Sequence, residues 1–305
     1  MRAPPATKRS RAPPCTSNIR RALRLFDDPE VAARVSRLEL PFSRQGIDPY
    51  GVSRRDLTFF LSLLATFYRR YFDVKVYGVE HVPPRGRAML IGNHSGGVAL
   101  DAAMVIASML LEMEPPRLAQ GMIEKFLGAA PFMSSWTARC GQFTGLPEHA
   151  ERLLRDERLL MVFPEGARGT AKLYWERHSL VDFGTGFVRL ALTTQTPIVP
   201  FAFIGGGEAI PTVKNLYALG RLVGAPYIPV TPWLLPIPRP VPLAIYYGEP
   251  IRLLGTGREE DHVIAGYVEQ VKSRVAALLE RGVQERRPAG TRLLPGPRKP
   301  SKEPA

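Results

Sequence analysis

The stretch Ala88–Asp101, AMLIGNHSGGVALD, decides how the rest of the chain is read. Its first five residues form an uninterrupted apolar run, the pattern of a strand buried on both faces. His94 follows the run directly, Gly96 and Gly97 break it, and an apolar helix is expected over Asp101–Leu111. A strand that hands over to a helix through a polar turn is where α/β sheets assemble their sites. On one continuous helix His94 and Asp101 would lie about 10.5 Å apart along the axis, too far to touch. The two glycines lift that limit by letting the chain fold back. Two readings then stand side by side. His94, with one ring nitrogen held by the Asp101 carboxylate, is an oriented general base; or Asp101 simply serves the helix N-terminus and His94 is a turn residue.

Outward from this stretch, short apolar runs alternate with helical patterns. Val74–Val79, Leu159–Phe163 (LLMVF), Ile198–Ile204 (IVPFAFI) and Leu243–Tyr247 read as strands. Asp56–Tyr71, Glu148–Asp156, Phe187–Thr194 and Glu259–Glu280 read as helices, and Ile123–Cys140 as a helix broken at Pro131. The alternation predicts an α/β fold: a single domain with a mixed, largely buried sheet flanked by helices, an N-terminal apolar helix and disordered basic tails.

A second turn follows another buried strand. Val162–Thr170, VFPEGARGT, places Glu165, Gly166 and Arg168 just beyond LLMVF. Arg168 offers a fork suited to phosphate or carboxylate, although an ordinary turn with a surface Glu–Arg pair has the same composition. Arg177 and His178 come shortly after and read either as part of the same pocket or as a solvated loop. Pro226–Pro242, PYIPVTPWLLPIPRPVP, admits neither a helix nor a central strand, yet it is rich in apolar residues. Such a loop packs on the body, covers an apolar substrate or lies on a membrane.

Of the net charge of +13, residues 1–26 carry +7 and residues 281–305 carry +5, which leaves a nearly neutral body and argues against a nucleic-acid-binding core. The tails themselves either meet an anionic partner, lipid or nucleic acid, or are merely solvated. The apolar segment Leu57–Tyr68 rises about 18 Å as a helix against a hydrocarbon core of about 30 Å, so it cannot span. It reads as an interfacial helix with snorkelling arginines at both ends, or as a buried core helix. There is no secretory signal pattern, and two cysteines, Cys15 and Cys140, fit a reducing compartment. The glycine clusters at 184–186 and 205–207 complete no phosphate-loop or dinucleotide pattern, no G-x-S-x-G elbow exists, and the five histidines lack metal-ligand spacing.

NHSGGVALD, then FPEGARGT, then IVPF at Ile198–Phe201 together resemble the glycerolipid acyltransferase family typified by lysophosphatidate acyltransferases. The layout is most similar to bacterial members of the monoacylglycerol and diacylglycerol acyltransferase-like branch. The resemblance covers roughly residues 48–250, from Asp48–Gly51 to Tyr247–Pro250. It implies an acyltransferase domain over 48–282 between basic tails at 1–30 and 283–305. It further implies transfer of a fatty acyl group from acyl-CoA or acyl-ACP to a hydroxyl of a glycerolipid or other lipid alcohol, with no cofactor beyond that co-substrate and no metal. His94 would be the general base and Asp101 its orienting carboxylate, Glu165, Gly166 and Arg168 would bind the acceptor, and backbone N–H groups at Gly96 and Gly97 would be oxyanion donors. The implied location is the cytoplasmic face of the membrane, peripheral or monotopic, with contact through Leu57–Tyr68 and Pro226–Pro242. Six residues separate His94 from Asp101, longer than the family's usual box and similar to its neutral-lipid branch; Gly141–Gly145 lacks the arginine with which the family meets an acceptor phosphate. A lysophosphatidate or other lysophospholipid acceptor is the alternative within the enzyme reading. A non-catalytic membrane lipid-binding protein is the alternative outside it.

Overall fold

The computed structural model describes residues 28–97, 99–123, 133–144, 147–222 and 224–286. Among them seven strands form one sheet, in the order β1-β9-β6-β2-β5-β3-β4. The members are β1 (Lys75–Tyr77), β2 (Ala88–Gly92), β3 (Ala119–Ile123), β4 (Phe143–Thr144), β5 (Leu159–Val162), β6 (Ile198–Ile204) and β9 (Ala244–Tyr247). All neighbours are parallel except β6 and β9. A separate antiparallel ribbon joins β7 (Lys214–Leu216) to β8 (Ile228–Val230), so the proline-rich segment contributes one short strand at an edge.

The central strands are apolar throughout because both of their faces are covered. In β2, Ala88 and Leu90 join one core cluster while Met89 and Ile91 join another on the opposite face. The first face packs α1 (Pro29–Ser36), α2 (Arg54–Thr66) and α3 (Leu100–Leu111). The second packs α5 (Pro147–Arg155), α7 (Gly186–Thr194) and α10 (Asp261–Glu285), whose Ile264, Val268, Val271 and Val275 form one buried stripe. Pro200 sits at the end of the regular β9 pairing, where its carbonyl still accepts from Gly248 N at 2.8 Å and its missing N–H leaves the pair one bond short.

Several expectations shift. The expected tails lie mainly outside the described residues, but α1 starts at Pro29 with Asp28 capping it, and α10 runs on to Glu285, so ordered chain extends past the expected boundaries at both ends. The expected broken helix over 123–140 is corrected: Ala119–Ile123 is a strand, helix α4 covers Met133–Arg139, and residues 124–132 are outside the described set. The apolar helix Leu57–Tyr68 packs as a core element, with Leu57, Leu61, Leu64, Ala65 and Tyr68 buried, leaving Phe67 as its exposed edge. Among the described residues no helix is long and apolar enough to cross a membrane.

Candidate active site

The carboxyl ends of β2, β5 and β6 lie side by side, and the turns that leave them meet. The turn after β2 carries His94. Gly96 and Gly97 take φ of +94° and +68°, and these left-handed steps return the chain onto itself. Asp101, in the first turn of α3, thereby comes back to the histidine, and its Oδ2 accepts from His94 Nδ1 at 2.7 Å. The same oxygen accepts from Ser95 N at 2.8 Å, and Oδ1 accepts from Ala102 N at 2.8 Å. Asp101 is wholly buried, whereas the His94 side chain remains 15% exposed. A carboxylate oxygen can only accept, so the contact places the N–H on Nδ1 and leaves Nε2 as the lone-pair nitrogen of the ring. The Phe163 ring stacks on the imidazole at 4.2 Å and 17°, fixing its second plane of freedom.

Asn93 anchors this turn to β6: its amide donates to Phe203 O at 3.0 Å and accepts from Phe203 N at 2.7 Å. Gly96 and Gly97 are buried, and a Cβ on them would meet the Gly206 carbonyl at 3.0 Å and the Thr212 hydroxyl at 2.9 Å.

The turn after β5 supplies the second motif. Gly166 has φ +57° and ψ −152°, a conformation open essentially to glycine alone, and it starts the short helix α6 (Ala167–Thr170). Glu165 does not line an open pocket. Its side chain is fully buried and accepts from His94 N at 2.9 Å, Lys172 Nζ at 2.8 Å and Val181 N at 3.0 Å. Lys172 also donates to Ser179 O at 2.9 Å. Glu165 is therefore a clamp that ties the His94 turn to residues 172–181, with both carboxylate oxygens engaged by protein donors. Arg168 is exposed, with Nη2 on the Asp182 carbonyl at 2.9 Å and the rest of its fork toward solvent. Gly169 touches the histidine, since a Cβ there would stand 2.7 Å from His94 Cβ. On the other side of Pro164, a cavity of about 310 Å³ is lined by apolar groups including Met122, Val162, Phe187 and Leu190.

Sequence reasoning missed Lys172, Phe163, Asn93 and Gly169. The available signal for Lys172 was Glu165 itself, because a carboxylate beside a buried strand demands a cation. Phe163 looked like the last residue of the strand.

The acyltransferase family profile matches residues 73–204, the span that holds both turns and all three strands beneath them. Over that span the chain matches the acyltransferase family. Uncharacterized proteins of Mycobacterium tuberculosis and Mycobacterium bovis are 33% identical over 236 residues, covering 74% of this chain. A Mycobacterium leprae relative, also uncharacterized, is 32% identical over 235 residues, covering 73% of this chain. The alignments span 66% of the first two relatives' length and 64% of the third's. Among solved structures, the 1-acyl-sn-glycerophosphate (LPA) acyltransferase PlsC from Thermotoga maritima aligns over 75% of this chain and 80% of its own. That pair has a TM-score of 0.48 and 19% identity.

Proposed function

We propose that this acyltransferase moves a fatty acyl group from an acyl thioester, acyl-CoA or acyl-ACP, to the hydroxyl of a glycerolipid or other lipid alcohol. The observation that carries the reading is the 2.7 Å contact from His94 Nδ1 to the buried Asp101 carboxylate, on a histidine side chain that remains 15% exposed, which leaves Nε2 to act as the base. As the acceptor oxygen attacks the thioester carbonyl carbon, its proton passes to Nε2 and the imidazolium is stabilised by Asp101. The tetrahedral intermediate then expels the thiolate, which takes the proton from Nε2, so the histidine returns neutral and no covalent enzyme intermediate forms. Gly96 and Gly97 are the nearest backbone candidates for the developing oxyanion. Gly166 and exposed Arg168 border the acceptor side, and the apolar cavity beside Pro164 suits the acyl chain.

The lipid substrates call for a membrane-facing surface. Leu234, Leu235 and Ile237 in the proline-rich loop are exposed, as are Leu222 and Tyr217 in α9 (Tyr217–Leu222) beside it. Tyr71 Oη donates to Pro238 O at 2.7 Å, so the exposed edge of the apolar helix at Phe67 adjoins this lobe. Arg70 and Arg239 are exposed near the same junction, a composition that suits peripheral or monotopic contact with a cytoplasmic, anionic leaflet.

The test offers palmitoyl-CoA and, separately, palmitoyl-ACP to the full chain on liposomes with lysophosphatidate, monoacylglycerol, diacylglycerol or a long-chain alcohol, and identifies the acylated product by mass spectrometry. The reading requires one acceptor to gain an acyl chain. Liposome binding without transfer from either donor would replace the enzyme with a lipid-binding protein.

A further inference from the structure

Beyond β6, helix α8 (Gly206–Ala209) leads into the β7–β8 ribbon and α9, and this lobe closes over the histidine turn. Ile210, Thr212 and Pro229 each place an atom within 3.4 Å of where a Gly97 Cβ would stand, so the bare backbone of the turn fits beneath the ribbon and a side chain would not. The lobe grips the second motif as well. Asn215 Nδ2 donates to Ala171 O at 2.6 Å, and Tyr174 N donates to Thr212 O at 2.8 Å.

Tyr227 sits where these contacts converge. It is buried immediately before β8, and α9 rests on its backbone, since a Cβ on Gly220 would stand 2.6 Å from Tyr227 Cα. Thr170 Oγ1 donates to Ala167 O at 3.1 Å, which makes it the acceptor for the Tyr227 hydroxyl at 2.5 Å. The same O–H is directed at Gly97 O, 3.3 Å away. One hydroxyl thus bridges the turn after β2 and the turn after β5, beside the place where Gly169 meets His94. A phenylalanine would fill the same space and keep the ring contact with Tyr217 at 6.2 Å; the buried hydroxyl adds the bridge. Gly97 is one of the two left-handed steps that bring Asp101 back to His94, so a shift of its carbonyl shifts the pair.

We propose that Tyr227 is a positioning residue of the acyl-transfer site: through Gly97 O and Thr170 Oγ1 it fixes the spacing of the two turns, and with it the placement of His94 Nε2 against the acceptor hydroxyl. Its effect on turnover rests on the acyl-transfer reading; its hold on the histidine does not. A misplacement of about 1 Å costs about 10²-fold in rate. Glu165 and Gly169 still join the turns when the hydroxyl is removed, so the loss is smaller, about tenfold. A group that acts through the turns changes the rate and leaves thioester affinity in place.

Tyr227→Phe and Thr170→Val, singly and together, test it in the full chain. Two readouts are taken: kcat and KM on liposomes, with palmitoyl-CoA or palmitoyl-ACP and the acceptor that the wild type acylates, and the nitrogen NMR shifts of the His94 imidazole in the substrate-free protein. Tyr227→Phe is expected to lower kcat about tenfold with the thioester KM within about twofold of wild type, and to move the imidazole shifts. Thr170→Val is expected to lower kcat less, because the hydroxyl keeps Gly97 O, and the double variant to fall no further than Tyr227→Phe alone. Wild-type kcat in Tyr227→Phe, a loss carried by KM, losses that multiply in the double variant, or imidazole shifts that stay in place would each overturn the proposal. If Tyr227→Phe does not fold, the kcat and shifts of Thr170→Val decide the same question. If the wild type transfers no acyl group yet Tyr227→Phe moves the His94 signals, the positioning stands and the acyl-transfer reading alone fails.

Discussion

Two buried carboxylates sit within one hydrogen-bonded unit and do opposite things. Asp101 faces a partner that keeps one nitrogen open, because His94 bonds it through Nδ1 and presents Nε2. Glu165 faces Lys172, a partner whose ammonium is spent internally on Glu165 and on Ser179 O, with nothing left for a substrate. The same chemistry of a buried acid and a base thus gives a reactive centre in one case and a scaffold in the other. What separates them is whether the partner keeps a nitrogen free to accept a proton.

The comparison breaks most sharply at the histidine. His94→Ala is expected to cut the transfer rate by about 10³-fold or more while the melting temperature hardly moves, since general-base catalysis is worth about 10²–10⁴. Asp101→Asn should cost on the order of 10²-fold in kcat, because an amide cannot enforce the Nδ1–H tautomer; an unchanged pH–rate profile would remove Asp101 from its orienting role. Gly169→Ala pushes a methyl against the Cβ atoms of His94 and Glu165 at 2.7 Å and should lower kcat by about tenfold or more together with a loss of about 1–3 kcal/mol in stability, the displacement being visible in the imidazole NMR shifts.

Glu165→Gln should invert the pattern. Breaking a buried pair costs about 3–5 kcal/mol of stability, read by urea unfolding, whereas kcat per folded molecule falls far less than in Asp101→Asn. The smallest effect concerns Glu208. Burial alone would raise its pKa, but the His178 hydrogen bond and the charges of His178, Arg286 and Arg177 outweigh it and hold the pKa down to about 2. Its contribution to stability is full above the unfolded carboxylate range near pH 4 and is lost as pH falls toward about 2. Glu208→Gln should therefore lower stability on the neutral side, where the ionised carboxylate contributes in full, and flatten the acid limb, as read by urea unfolding against pH.

The parts of the fold that were legible are those with an unbroken burial pattern. AMLIG and IVPFAFI are strands with the boundaries their apolar runs suggest, because helices cover both faces of each. AQGMI was not legible: Gln120 and Gly121 interrupt the run, and pairing with β5 and β4 makes it a strand. The end of the closing helix was placed early because its last residues look polar, yet Gly282 packs directly onto Ile204 and Tyr246. At the site, His94 and Asp101 could be paired on paper because two glycines between them permit the reversal. The fate of Glu165 could not, since Lys172 sits in a polar stretch with no periodicity, and burial of both partners arises only when residues 172–181 fold over the histidine turn.

The most direct test is free-thiol release from palmitoyl-CoA on acceptor-loaded liposomes, compared between the wild type and His94→Ala at equal folded concentration. An Nε2 base held by Asp101 requires acceptor-dependent release in the wild type and a loss of about 10³-fold in the variant. Release in His94→Ala at the wild-type rate would contradict the assignment of the base and, with it, the contrast between the two carboxylates.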